Sequence, residues 1–76
     1  MPRKRLSSLR SVLAANLRAE RARAGLTQEE LAELAGVHPT YLSRVENSGY
    51  NVGVDVIERF AVALKLDPGL LLSRMR

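Results

Sequence analysis

Apolar residues recur every three or four positions along much of the chain, which is the spacing of one face of an α-helix. The first such series consists of Leu6, Leu9, Val12, Leu13 and Leu17. Ser7 or Ser8 is a suitable N-cap, and Gly25 is suited to the left-handed conformation that ends a helix. The pattern therefore predicts a first helix over about residues 7–24.

The second helix has a well-defined start and end. Thr27 is followed three residues later by Glu30, the pattern of a capping box in which each side chain binds the backbone N–H of the other residue. Gly36 then supplies a residue that tolerates positive φ at the helix end. We expect the apolar residues between these signals to face the core, and they are Leu31, Ala32, Leu34 and Ala35.

The third helix starts only a few residues after Gly36. Pro39 suits the first helical position because its missing N–H has no partner there, which makes His38 the N-cap and leaves Val37 to pack inward. Leu42 and Val45 are predicted to face the core. The remaining side chains point outward and form a small, polar, almost uncharged face, consisting of Thr40, Tyr41, Ser43 and Arg44.

A turn-rich loop at residues 47–53 leads to a fourth helix over about residues 54–66. Its apolar series is Val54, Ile57, Phe60, Ala61 and Leu64. A short fifth helix over residues 67–74 begins with Asp67 as cap and Pro68 at the first position. Consecutive leucines cannot all face one core, so we expect this helix to contact a second copy of the chain. The predicted contact residues are Leu70, Leu71, Leu72 and Met75.

The composition favours one small all-α domain over residues 1–76. A chain of this length buries only about 60% of the surface it exposes when unfolded, so association with a second copy would add stability. The chain has no cysteine and one histidine, so we expect no metal or other cofactor. It also lacks the roughly 18 consecutive apolar residues of a membrane span, and we expect a soluble, cytoplasmic protein.

Charge is distributed unevenly along the chain. Residues 1–23 contain seven basic residues and one acidic residue, whereas residues 24–66 contain three basic and six acidic residues. The net charge of +4 favours a polyanionic partner such as nucleic acid. The basic arm, residues 1–6, either contacts the DNA backbone through Arg3, Lys4 and Arg5 or forms a solubilising tail, and the sequence leaves both interpretations open.

Five helices with "GVH" between the second and third resemble the helix-turn-helix domains of the phage-repressor type, called the XRE or Cro/cI-like family. The resemblance covers residues 7–73 and is most specific at residues 28–47. The family's small residue in the second helix, turn glycine and three apolar positions correspond to Ala32, Gly36, Val37, Leu42 and Val45. The stretch "RVENSGYNVGVDVIERFAVAL" is also similar to restriction–modification controllers. The resemblance implies a lambda-repressor-like fold whose helix-turn-helix consists of the second and third helices.

The resemblance also implies which residues contact DNA. The base-reading positions of the family fall on Pro39, Thr40, Ser43 and Arg44. Arg44 carries the strongest expectation because a guanidinium can donate two parallel hydrogen bonds to guanine, although a solvated surface arginine is the alternative. Pro39 departs from the family's common glutamine and offers no donor.

Phosphate contacts are expected at Gln28, which resembles the family's phosphate-binding glutamine, and at Tyr41, Asn47, Tyr50 and Asn51. For Tyr41 and Asn47 a packing role is an equal alternative. Arg21 and Glu46 resemble a structural ion pair that joins the first helix to the third, and we expect it to be partly buried.

The predicted function is that of a sequence-specific transcriptional regulator that binds double-stranded DNA as a homodimer on a palindromic or pseudo-palindromic operator. The alternative is an antitoxin or helical adaptor whose main partner is another protein. An enzyme is not expected, because the sequence contains no carboxylate pair at fixed spacing, no nucleophile beside a base and no glycine-rich phosphate loop.

Overall fold

The computed structural model describes residues 8–47 and 50–74, and within these ranges it consists of five α-helices without strands. The helices are α1 (Leu9–Ala24), α2 (Gln28–Ala35), α3 (Pro39–Glu46), α4 (Val54–Leu64) and α5 (Pro68–Leu71). The predicted all-α fold is confirmed. The predictions for Leu6, Met75 and the basic arm with Arg3, Lys4 and Arg5 fall outside the described residues. None of the helices in the described part of the chain combines the length and apolar character needed to cross a membrane.

Local capping signals determine the ends of the first two helices. The hydroxyl of Ser8 accepts from the backbone N–H of Ser11 at 3.1 Å, so α1 begins later than the predicted residue 7. At the start of α2, Glu30 N–H donates to the Thr27 hydroxyl at 3.1 Å, and the Thr27 N–H donates to the Glu30 carboxylate at 2.8 Å. Gly36 ends α2 with φ of 72°, a conformation that is strained for residues with a Cβ.

The core contains buried residues from all five helices, and α4 contacts α1, α2 and α5. Phe60 of α4 is fully buried and belongs to one hydrophobic cluster with residues of no more than 2% exposure from the other helices, among them Leu17, Leu31, Leu42, Val45 and Leu71. Ala32 is also fully buried, which permits a close approach of α2 to its neighbours because no longer side chain intervenes. Val37 is half-buried against the core, as predicted.

Leu34 was predicted to face the core, and this prediction is wrong, while Val54, which the sequence places at the start of the fourth helix, also lies at the surface. Leu34 is 62% exposed and Val54 is 79% exposed. The buried face of α2 is centred on Leu31, Ala32 and Ala35, and Leu34 lies about 100° around the helix from the middle of that face. Val54 is the first residue of α4, where the helix end is open to solvent.

The last helix is shorter than predicted and ends at Leu71 rather than at residue 74. Leu71 is fully buried, so its prediction as a dimer-contact residue is wrong. Consecutive residues of a helix lie about 100° apart around its axis, so the three leucines differ in their burial. Leu70 remains 38% exposed, and Leu72 is half-buried against the core.

Asn16 of α1 holds α5 in this position. Its Nδ2 donates to the backbone carbonyl oxygens of Leu70, Leu71 and Ser73 at 3.3, 3.0 and 2.9 Å. The last carbonyl groups of a helix lack partners within the helix, so a buried amide that serves several of them stabilises the end of α5.

We expect Asn16→Ala to lower the free energy of unfolding by about 2 kcal/mol, because it leaves buried carbonyl groups without a donor. Urea unfolding followed by circular dichroism measures this change. Ser11→Ala, which removes an exposed polar group from the same helix, should stay within about 0.5 kcal/mol of the original protein. Similar losses in both variants would contradict a specific role for Asn16.

Candidate nucleic-acid interface

The connection between α2 and α3 is short and is fixed by hydrogen bonds at both ends. The N–H groups of Gly36 and Val37 donate to the carbonyl oxygens of Glu33 and Ala32 at 3.2 and 2.9 Å. On the other side, Nδ1 of His38 accepts from the Thr40 N–H at 3.0 Å and caps α3, as the sequence predicted. The angle between the two helices is therefore set by the turn itself.

The buried carboxylate of Glu46 fixes the far end of α3. Glu46 is 2% exposed and accepts from Arg21 of α1 twice, from Nε to Oε2 at 2.7 Å and from Nη2 to Oε1 at 3.0 Å. The ion pair expected from the sequence is thus present between these two side chains. The hydrogen bond with Glu46 raises the pKa of Arg21, an effect that partial burial opposes.

Two further side chains bind Glu46, and neither of these contacts was predicted from the sequence. Gln28 of α2 donates from Nε2 to Glu46 Oε1 at 2.8 Å, and Arg18 of α1 donates from Nη1 to the Glu46 carbonyl oxygen. The spacing of residues along the sequence cannot indicate these contacts, because each one depends on the relative positions of separate helices. We call these four residues, Arg18, Arg21, Gln28 and Glu46, the Glu46 network.

The position of Gln28 bears on its predicted contact with phosphate. Its side chain is half-buried, and one of the two amide hydrogens points to Glu46. The second amide hydrogen stays available, as do the backbone N–H groups of Gln28 and Glu29, whereas that of Glu30 binds the Thr27 hydroxyl. The predicted phosphate contact is compatible with this geometry and stays a prediction.

The outer face of α3 carries the predicted base-reading residues. Thr40 and Arg44 are exposed, whereas Pro39 and Ser43 are half-buried. Within the part of the chain that the structure describes, the hydroxyl groups of Thr40 and Ser43 have no hydrogen-bond partner. At the end of the helix Asn47 is exposed, and its Nδ2 donates to the Ser43 carbonyl oxygen at 2.9 Å.

Arg44 contacts Tyr50, which lies beyond α3 in the loop. Nη1 of Arg44 donates to the Tyr50 hydroxyl at 2.6 Å, and the guanidinium carbon lies 5.2 Å from the centroid of the same ring. The rings of Tyr41 and Tyr50 meet edge to face with centroids 5.7 Å apart and an interplanar angle of 67°. We call Tyr41, Arg44 and Tyr50 the tyrosine–arginine cluster.

Tyr41 is less exposed than the sequence suggested. It is half-buried and packs against the core, and burial raises the pKa of its hydroxyl, with a smaller contribution from Tyr50. Arg10 of α1 and Asn51 line an open cavity beside the two rings. Arg10 was not predicted at the site, because its position on α1 gives no signal of proximity to residues 41–51.

Most of the basic residues of α1 bind groups within the protein, so fewer of them are available to a polyanionic partner than the net charge suggests. Arg18 and Arg21 bind Glu46, and Arg23 Nη1 lies 3.2 Å from Glu20 Oε2. Arg10 differs from the other arginines of α1, because it is exposed and makes no polar contact with any of the described residues. No group of three or more potential metal ligands occurs in the described part of the chain.

A family model described as a helix-turn-helix domain matches residues 12–73. This range covers most of the 76 residues, and the protein therefore belongs to this helix-turn-helix family. Its five helices form the lambda-repressor-like fold of Cro/C1-type proteins.

Individual relatives agree with this assignment. A hypothetical transcription factor of Neisseria meningitidis serogroup B is 46% identical over 56 residues, which make up 74% of this chain but only 53%, about half, of that protein. Control protein C.SmaI of Serratia marcescens is 38% identical over 66 residues, covering 87% of this chain and 79% of that protein.

Two solved structures have a closely similar fold. The hypothetical transcription factor NHTF from Neisseria superposes with a TM-score of 0.86 at 39% identity, covering 96% of this chain and 86% of that chain. The restriction-modification controller protein C.AhdI from Aeromonas hydrophila superposes with a TM-score of 0.80 at 35% identity, covering 82% of this chain and 94% of that chain.

We expect Arg21→Met to lower the free energy of unfolding by about 2–4 kcal/mol, because it leaves the Glu46 carboxylate buried without its cation. The loss should be smaller than for a fully buried pair, since 21% of the Arg21 side chain is exposed. The double variant Arg21→Met/Glu46→Gln removes the uncompensated charge and should recover about half of the loss or more. Thermal and urea unfolding measure both changes, and an unaltered stability of Arg21→Met would rule out an energetic role for the pair.

Proposed function

We propose that this protein is a sequence-specific DNA-binding transcriptional regulator that inserts the outer face of α3 into the major groove. The observation that carries the proposal is the fixed projection of a polar helix face, which the short turn holds at one end and the Glu46 network at the other. In proteins with this motif the second helix of the pair lies in the major groove and its first residues contact base edges. The relatives named as transcription factors and control proteins support the same function.

In this proposal Arg44 is the main base-reading residue. A guanidinium can donate to O6 and N7 of guanine with two parallel bonds, which discriminate against other bases by about 1–3 kcal/mol. The hydroxyls of Thr40 and Ser43 can each donate to or accept from a base edge. Pro39 has no N–H and offers only apolar contact.

Phosphate contacts would surround this face. The start of α2 at Gln28 presents backbone N–H groups, which attract phosphate without a formal charge. Asn47 and Asn51 lie exposed at the end of α3 and in the following loop, and Arg10 adds a positive charge beside Tyr41 and Tyr50. The basic arm is proposed to supplement these contacts along the backbone.

Selection of bound duplexes from a random DNA pool at fixed salt tests the function. We expect an enriched half-site that contains guanine, and a loss of affinity for that site of roughly 10- to 100-fold in Arg44→Ala. Lys65→Asn serves as the matched control, since it removes one positive charge from the end of α4 and keeps a residue type that tolerates the φ of 59°. An enriched site without guanine, or equal losses in both variants, would contradict the role given to Arg44.

We further propose that the regulator acts as a homodimer whose half-sites are about 34–36 Å apart. The C-terminal surface suits this role because Leu70 is 38% exposed and Leu72 is half-buried. Leu71 is excluded from the contact, since it is buried within its own chain.

Leu70→Glu should weaken the dimer by about 10-fold or more, because a charge placed in an apolar contact loses its hydration without gaining a partner. Sedimentation equilibrium over a range of protein concentrations measures the dissociation constant. Leu34→Glu is the control, as Leu34 is another exposed leucine but lies on α2. A wild-type protein that stays monomeric and precipitates when purified alone would favour the alternative function, binding to a protein partner.

A further inference from the structure

We propose that Tyr50 is a positioning residue that holds the guanidinium of Arg44 in one orientation, and that it thereby sets the base preference of α3. This inference rests on the proposed function, in which Arg44 reads a base. It assigns Tyr50 a role different from the direct phosphate contact that the sequence predicts. The same tyrosine can be tested for each role, because the two roles respond differently to changes at Arg44.

Two contacts with the Tyr50 side chain define the orientation of Arg44. The hydrogen bond from Nη1 to the Tyr50 hydroxyl, 2.6 Å long, fixes the direction of the guanidinium. The distance of 5.2 Å from the guanidinium carbon to the ring centroid is within the range of a cation–π contact. Arg44 is otherwise exposed, and a free arginine side chain would sample many rotamers whose entropy is lost on binding DNA.

Tyr50 can hold Arg44 only if its own ring is supported, and Tyr41 provides that support. The edge-to-face contact between the two rings has a centroid distance of 5.7 Å, which lies in the favourable range for aromatic pairs. Tyr41 packs against the core. The tyrosine–arginine cluster thus connects the hydrophobic core to the exposed guanidinium through two aromatic rings.

The orientation leaves Arg44 able to bind guanine. A guanidinium has five N–H groups, and Tyr50 accepts from Nη1 alone. In the described part of the chain the edge formed by Nε and Nη2 of Arg44 has no other partner. That edge has the parallel donors needed for O6 and N7 of guanine. The cluster therefore presents one edge of Arg44 while fixing the opposite side.

A double-mutant cycle on the selected duplex distinguishes positioning from phosphate contact. Tyr50→Phe keeps the ring and removes the hydroxyl, and we expect it to lower affinity for the guanine-containing duplex about 3- to 10-fold, the factor for ordering one additional long side chain on binding. It should change affinity less than about 2-fold on a duplex with that guanine replaced by adenine, or in the Arg44→Ala background. Tyr50→Leu also removes the ring and should cause a larger loss with the same dependence on Arg44.

Other results of the cycle would overturn the inference. An equal loss on both duplexes and in both backgrounds would mean that Tyr50 binds phosphate directly, independently of the base that Arg44 reads. Full affinity of Tyr50→Phe and Tyr50→Leu would mean that Tyr50 has no role in recognition. Asn51→Ala is the control for a general disturbance of the loop, because Asn51 is the exposed neighbour of Tyr50, and its effect should not depend on Arg44.

Nitrogen-15 relaxation of the Arg44 side-chain Nε–Hε group tests the positioning without DNA. We expect an ordered signal in the free protein that becomes more mobile in Tyr50→Phe and still more in Tyr50→Leu, but not in Asn51→Ala. An Arg44 side chain that is equally mobile in all these proteins would contradict the inference. If the wild-type protein bound all duplexes equally, the proposed function would fail, while the relaxation data would still report whether Tyr50 orients Arg44.

Discussion

The buried carboxylate of Glu46 determines where α3 lies on the molecule. A carboxylate with 2% exposure needs compensation by donors, and here the donors come from two other helices, with Arg21 on α1 and Gln28 on α2. Moving α3 relative to either helix would break a hydrogen bond to a buried charge, which costs several kcal/mol. A buried ion pair of this kind adds little net stability relative to apolar residues of similar volume, but it penalises alternative arrangements strongly. Its main physical effect is therefore to define one orientation of α3.

Because several arginines bind groups within the protein, fewer basic side chains are free to contact a polyanionic partner. The sequence shows a strongly basic N-terminal part, yet Arg18, Arg21 and Arg23 make contacts within the protein. The exposed cations of the described chain near α3 and its preceding turn include Arg10, Arg44 and Arg59, whose Nη1 lies 3.5 Å from the Gly36 carbonyl oxygen. In the proposed complex, selectivity then depends mainly on one guanidinium and several neutral donors. With so few charges, the orientation of Arg44 has a large influence on which sequences are preferred.

Features encoded by neighbouring residues were predictable, whereas features created by helix placement were not. The Thr27–Glu30 capping box, the glycine end of α2 and the His38 cap each depend on residues within three positions of one another, so the sequence predicted the turn correctly. Which leucine of a helix is buried depends on neighbours from distant helices. Periodicity therefore misassigned Leu34, and the run of three leucines misassigned Leu71. The contact of Gln28 with Glu46 likewise depends on where separate helices lie. The contact of Arg44 with Tyr50 depends on the path of the loop between them.

Helix α1 connects the two surfaces that the proposed dimer requires. Asn16 on this helix holds the carbonyl groups at the end of α5, and Arg21, five residues later, holds Glu46 at the end of α3. Five residues of α-helix span about 7.5 Å, and α1 continues without a break between these two anchors. Each end of this short rigid segment is fixed by hydrogen bonds to buried groups. If α5 forms the twofold contact, the geometry of α1 determines the distance between the two copies of α3. Flexible loops would then contribute little variation to that distance. Tolerance for half-site spacing would then come from bending of the DNA rather than from the protein.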